Sequence, residues 1–93
     1  MIPMQTIIPE IRRFVIDNFL FGQNGDTLKD DESFLDSGII DSTGVLELVG
    51  FLETRYGIAI ADHELIPDNL DSVTNVSHFV LAKRAVQKET LDV

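Results

Sequence analysis

The chain has 93 residues and is 44% hydrophobic, enough for one modest core and too short for two domains. It has no cysteine, which excludes disulfides, thiolate metal sites and cysteine nucleophiles, and its formal net charge of -9 disfavours nucleic acid and anionic membrane as partners. The longest apolar runs, such as Ile7-Ile8 and Phe79 to Ala82, fall far short of a membrane span, and the N-terminus lacks the basic-then-apolar pattern of an export signal. We read a soluble, cytoplasmic, monomeric domain over residues 1-93, with its core from about residue 6 to 89.

After the leader Met1 to Met4, the residues Ile7, Ile8, Ile11, Phe14, Val15 and Phe19 recur at helical spacing and predict a first helix over roughly 6 to 21. Thr6 suits its cap. Pro9 then falls near enough to the first turn that its missing N–H removes no intrahelical bond. Gly22-Gln23-Asn24-Gly25 ends the helix, and Asp26 to Asp41, without sustained period, reads as a long, partly packed loop. Val45, Leu48, Val49, Leu52 and Tyr56 form one apolar stripe, so the clearest helix covers about 42 to 56, stopped by Gly57. Asp62 to Ile66 makes a helical turn or two, which Pro67-Asp68-Asn69 breaks. Ser72 then caps a final helix with Val73, Val76, Phe79 and Val80 facing inward, flanked by Leu81, Ala85 and Val86; Lys83, Arg84 and Lys88 suit its C-terminal dipole, and the residues after Glu89 read as a frayed tail. With no strand pattern or repeat, the expected fold is all-α, a small four-helix bundle of three main helices and one short one.

The negative charge is concentrated. Residues 1-25 are neutral and 73-93 carry +1, whereas 26-72 hold twelve acids against Lys29 and Arg55, a net charge of -10. Taken alone, such a field is a solvated face that keeps a small domain soluble; it also steers basic partners. The run Asp41-Ser42 lies inside it, at the start of the most amphipathic helix. A phosphate esterified to Ser42 there meets unpaired N–H groups and the positive end of a helix dipole, and Asp41 suits a divalent cation during phosphoryl transfer. By local physics alone, however, Asp41 or Ser42 is an ordinary helix cap.

The wider pattern reverses that ranking. Phe34-Leu35-Asp36-Ser37-Gly38-Ile39-Ile40-Asp41-Ser42, then Val45-Leu46-Glu47-Leu48-Val49, Leu52-Glu53 and Tyr56-Gly57-Ile58-Ala59-Ile60, resembles the acyl and peptidyl carrier proteins, and the order of helices resembles that family over most of the chain. The resemblance implies a non-enzymatic carrier. Ser42 would bear a covalent 4'-phosphopantetheine arm derived from coenzyme A, Asp41 would assist its attachment, and Thr43, Glu47 and Glu53 would belong to the partner-recognition face. It further implies a phosphopantetheinyl transferase that requires Mg²⁺, an ATP-dependent acyl- or aminoacyl-activating ligase, and a downstream acyl-accepting enzyme. The run Gly38 to Gly44 is more similar to D-alanyl and other stand-alone aminoacyl carriers than to fatty-acid carriers.

Many members of that family place Leu where this chain has Thr43, and Gly44 and Gly50 fall inside the helix, each at a cost of roughly 1 kcal/mol against Ala if exposed. Asp36-Ser37 is a second Asp-Ser pair, but no apolar stripe follows it, so Ser37 reads as a loop residue. Asp26 to Asp31 lacks the glycine and acid spacing of a calcium loop, and His63 and His78 lack ligand spacing, so no resident metal is expected. A Ser-His-Asp set drawn from Ser42 and either histidine lacks an oxyanion hole. The rival from another class is an unmodified acidic adaptor with a carrier-like fold.

Overall fold

The computed structural model describes residues 3-22 and 28-91, with side chains as far as Ala85. Met1-Ile2 of the leader, Gln23 to Gly25 of the first turn and Asp26 of the dismissed calcium loop lie outside the described residues, as do the side chains of Val86 and Lys88.

Three main helices, α1 (Met4–Phe19), α3 (Ser42–Tyr56) and α5 (Val73–Leu91), surround one core, with one-turn helices α2 (Phe34–Ser37) and α4 (Pro67–Leu70) and a 3₁₀ turn (Asp62–Glu64) between them. Among the described residues there is no strand. The expected all-α bundle is present, with α2 as an addition. Its single turn is too short for an apolar period to show in sequence. Ser33 caps α2 by accepting the Asp36 N–H (3.1 Å), and Gly38, at φ 77°, ends it.

Along α1, Ile7, Ile11 and Val15 follow the i, i+4, i+8 row and are fully buried. The helix starts earlier than expected, after Pro3, whose carbonyl accepts the Thr6 and Ile7 N–H groups at 2.9 and 3.1 Å, so Thr6 is not the cap. Pro9 therefore lies in the second turn and cannot supply the bond to the Gln5 carbonyl, contrary to expectation; both residues lie on the exposed face, so that carbonyl is not shut away from solvent.

Helix α3 has the predicted bounds: Asp41 is its N-cap and Gly57, at φ 66°, its left-handed C-cap. Leu48, Leu52 and Tyr56 of the predicted stripe are buried, while Val45 and Val49 are half-buried. Pro67 does not break a helix. It opens α4 at the first position, where its absent N–H costs nothing and its fixed φ is already helical. Ser72 caps α5 as predicted by accepting the Asn75 N–H (3.0 Å), and Val73, Val76, Phe79 and Val80 are buried; α5 continues to Leu91, past the expected fraying point.

Helix α5 packs against α1, α4 and α3. The connecting segments are pinned by hydrogen bonds. Arg12 on α1 reaches the Asp30 carboxylate (2.9 Å) and the Leu28 carbonyl, Thr74 donates to the Asp30 carbonyl (2.8 Å), and Asp71 accepts from Ser33 Oγ and from the Leu35 N–H (2.9 Å).

Candidate functional site

Ser42 is the first residue of α3 and is exposed. The side chain of Asp41 turns back over the first turn and accepts the Gly44 N–H (2.7 Å), while the Asp41 carbonyl accepts the Val45 N–H (3.1 Å). The N–H groups of Ser42 and Thr43 therefore remain as first-turn donors without intrahelical partners. They and the helix dipole favour a phosphodiester on Ser42. The second oxygen of Asp41 makes no hydrogen bond to the described chain and is open to a cation.

The serines differ in a way that selects one of them. Among the five described, Ser33 donates to Asp71, Ser37 donates to the Ser33 carbonyl (2.7 Å), Ser72 caps α5, and Ser77 is buried and donates to the Val73 carbonyl (2.7 Å). Ser42 alone makes no side-chain hydrogen bond to the described residues and is free to form a bond to another molecule. Ser37, the second Asp-Ser candidate, lies in α2 rather than in a loop.

Beside Ser42 lies a cleft of about 240 Å³. Phe34, Ile40, Val45, Leu65 and Leu70 line it, and the exposed Leu35, Leu46 and Ile66 form its rim. Sequence reading missed these three. Leu46 carried a usable signal, since it falls off the Val45–Tyr56 stripe and so cannot reach the core; Leu35 and Ile66 carried none, because their one-turn surroundings show no period.

Gly44 faces inward. A Cβ there would lie 2.8 Å from Phe19 Cε1 and 2.9 Å from Ile40 Cγ2, so the glycine lets the end of α1 close against the start of α3. The expected exposed-helix cost applies to Gly50, which is exposed, but not to Gly44. Thr43 and Glu47 are exposed beside and one turn beyond Ser42. Glu53 differs: half-buried, it accepts the Ile60 N–H (2.9 Å) and ties α3 to the segment that follows. The acidic field is likewise partly used inside the molecule, since Asp30 pairs with Arg12 and Glu64 with Lys83 (2.9 Å each). Glu64 is held below the ordinary carboxylate range by the Ala61 N–H and then by Lys83.

Among the described residues no three His, Asp or Glu side chains gather as a metal site, and no histidine bonds to Ser42; His63 and His78 are exposed. No described helix is long and apolar enough to cross a membrane.

A family model described as the phosphopantetheine attachment site matches residues 20–80, about two thirds of the chain. The chain belongs to that family. It is a carrier of covalently attached 4'-phosphopantetheine, and carrier domains of this kind work with a phosphopantetheinyl transferase and acyl-handling enzymes. The matched segment takes in α2, α3, α4, the cleft lined from Phe34 to Asp71 and the start of α5, and it leaves out the whole of α1. A comparison with curated proteins finds no match.

Proposed function

We propose that Ser42 is the attachment residue and that the chain carries an acyl or aminoacyl group, as a thioester on the arm, between partner enzymes. The observation that supports this most is the single serine hydroxyl left without a partner, exposed at the first position of α3 inside the matched segment. In the modification, Ser42 Oγ gives its proton to a base of the transferase and bonds to the pantetheine phosphorus as the diphosphate bond of coenzyme A breaks and the adenosine 3',5'-bisphosphate leaves. Asp41 keeps the helix end in place and offers its open oxygen to the Mg²⁺ that the transferase brings. The chain itself is not an enzyme. It works as a cytoplasmic monomer, supplying a tether that raises the effective concentration of cargo at each partner.

An ATP-dependent ligase loads the arm and an acyl-accepting enzyme unloads it. Their docking face comprises Thr43, Glu47 and the cleft rim, with Glu53 holding the end of that surface. The acidic charge makes docking fast and reversible. The run Gly38 to Gly44 favours an aminoacyl cargo of the D-alanyl kind, and the apolar cleft has room for a small apolar group.

Intact-mass measurement after incubation with coenzyme A, Mg²⁺ and a broad-specificity transferase tests the reading. Wild type gains the arm and Ser42→Ala does not; a gain that survives Ser42→Ala moves the attachment to another residue, and no gain at all leaves the unmodified adaptor, and either outcome sinks the reading. Offering the modified chain to a panel of acyl- and aminoacyl-activating ligases then names the cargo class by thioester mass. Glu47→Lys is expected to slow ligase loading and flatten its dependence on ionic strength, and unchanged kinetics from low to high salt would contradict the docking face.

A further inference from the structure

Four large hydrophobic side chains stand exposed among the described residues, and three of them form the cleft rim beside Ser42. The fourth, Phe21, is the most exposed of all at 83%. An exposed apolar residue by itself is unremarkable in a folded protein. Phe21 is set apart by its backbone: at φ 55° it is the one described non-glycine residue in the left-handed region, where a bulky side chain is an outlier. The turn that holds it there is hydrogen-bonded, with the Gly22 N–H returning to the Ile16 carbonyl (2.8 Å). The chain thus spends an unfavourable conformation on presenting an aromatic ring to solvent.

The placement of that ring points to what meets it. The Phe19 ring lies against Gly44, so the end of α1 abuts the start of α3, and two residues of chain carry Phe21 at most about 7 Å further. Phe21 and Ser42 therefore share one end of the molecule. A transferase must bring its reacting phosphorus within bonding distance of Ser42 Oγ, so its surface has to cover this end. A standard footprint of about 800 Å² on each partner is about 30 Å across and takes in both residues.

We infer that Phe21 anchors the phosphopantetheinyl transferase, its ring entering an apolar pocket that basic groups flank in answer to the acidic 26-72 segment. This rests on Ser42 being the attachment residue. A ring held clear of the body by its backbone turn is available as an anchor, and its contribution is to holding the carrier rather than to the chemistry.

Modification kinetics of the full chain with coenzyme A, Mg²⁺ and the transferase, read by intact mass, test the inference. Phe21→Ala is expected to raise KM for the carrier about tenfold with kcat unchanged, whereas Phe21→Tyr restores it. Phe21→Asn, which tolerates the left-handed backbone, is expected to raise KM equally while Tm holds or rises. Unchanged KM in both truncated variants overturns the anchor, as does a KM change that tracks a fall in Tm. A concentration-dependent dimer that Phe21→Ala dissolves also overturns it and assigns the ring to a second copy of the chain. Wild type that gains no mass removes the Ser42 reading together with this one, whereas normal modification of Phe21→Ala strikes the anchor alone.

Discussion

The two ends of α3 are built on opposite principles. At the C-terminal end, Tyr56 is buried, its hydroxyl donates to Glu10 on α1 (2.8 Å), Arg55 pairs with the same carboxylate, and Arg84 on α5 donates to the Tyr56 carbonyl (2.6 Å). Burial works to raise Glu10, but the hydrogen bonds from Tyr56 and Arg55 outweigh it and hold the carboxyl below its ordinary range; burial, and then the carboxylate as acceptor, push the Tyr56 hydroxyl well up. Three helices are thereby locked together. At the N-terminal end, Ser42 and Thr43 are exposed, apolar side chains rim a cleft, and the local fixings are the Asp41 cap and the close fit of Gly44. On the proposed reading of Ser42 as the attachment residue, a group handed between enzymes needs an accessible root, and the clamped far end lets this one stay open without loosening the bundle.

Substitutions at the two ends sharpen that contrast. Tyr56→Ala is expected to cost about 3–5 kcal/mol in chemical denaturation, from the lost ring and the unpaired polar groups it leaves, whereas Ser42→Ala stays within about 0.5 kcal/mol of wild type. Similar losses at both sites would break the comparison. Gly44→Ala is next, at about 1–3 kcal/mol, because the added methyl meets the buried Ile40 and the Phe19 ring. Gly50→Ala, with nothing within 4 Å of the new Cβ, is expected instead to gain about 0.5–1 kcal/mol. Asp41→Ala should lose about 1 kcal/mol through the cap and also slow modification, while Asp41→Asn keeps the cap and slows modification only. If Asp41→Asn were modified at the wild-type rate, the carboxylate would be a cap and nothing more.

The smallest expected effect is one of slope. Glu10 and Glu64 both titrate below their ordinary value of 4.5 in the folded state, so each stabilises the fold fully above that value. That stability is lost as pH falls through the lowered folded values. Denaturation midpoints measured from about pH 7 down to about pH 3 should fall accordingly, and Glu64→Gln should make the decline shallower. An unchanged slope in Glu64→Gln would show that the Lys83 and Ala61 contacts contribute little.

The elements that could be read without the fold were those with both a period and a punctuating residue. Asp41 and Gly57 bound α3, and Ser72 opens α5, because the cap chemistry is local and acts within four residues. Short elements hid. The turn α2 has one capped end and no room for an apolar repeat, and Pro67 read as a breaker because a proline that opens a helix looks the same in sequence as one that stops it. The start of α1 was misplaced for a related reason: Pro3 caps it with its backbone carbonyl alone, which leaves no side-chain signature.

For the site, residue type and spacing by themselves determined a helix start at Asp41-Ser42 and the apolar stripe behind it, and the resemblance of the 34–60 pattern to carrier proteins made Ser42 the candidate serine. The same resemblance assigned Glu47 and Glu53 together to the partner-recognition face. Only the tertiary structure decided the rest. It turned Glu53 inward to the Ile60 N–H, made Gly44 a point of contact between α1 and α3, gathered Leu35, Leu46 and Ile66 around one cleft, and occupied every described serine hydroxyl but that of Ser42. These are contacts between residues distant along the chain, fixed by how the helices pack, and no local spacing encodes them.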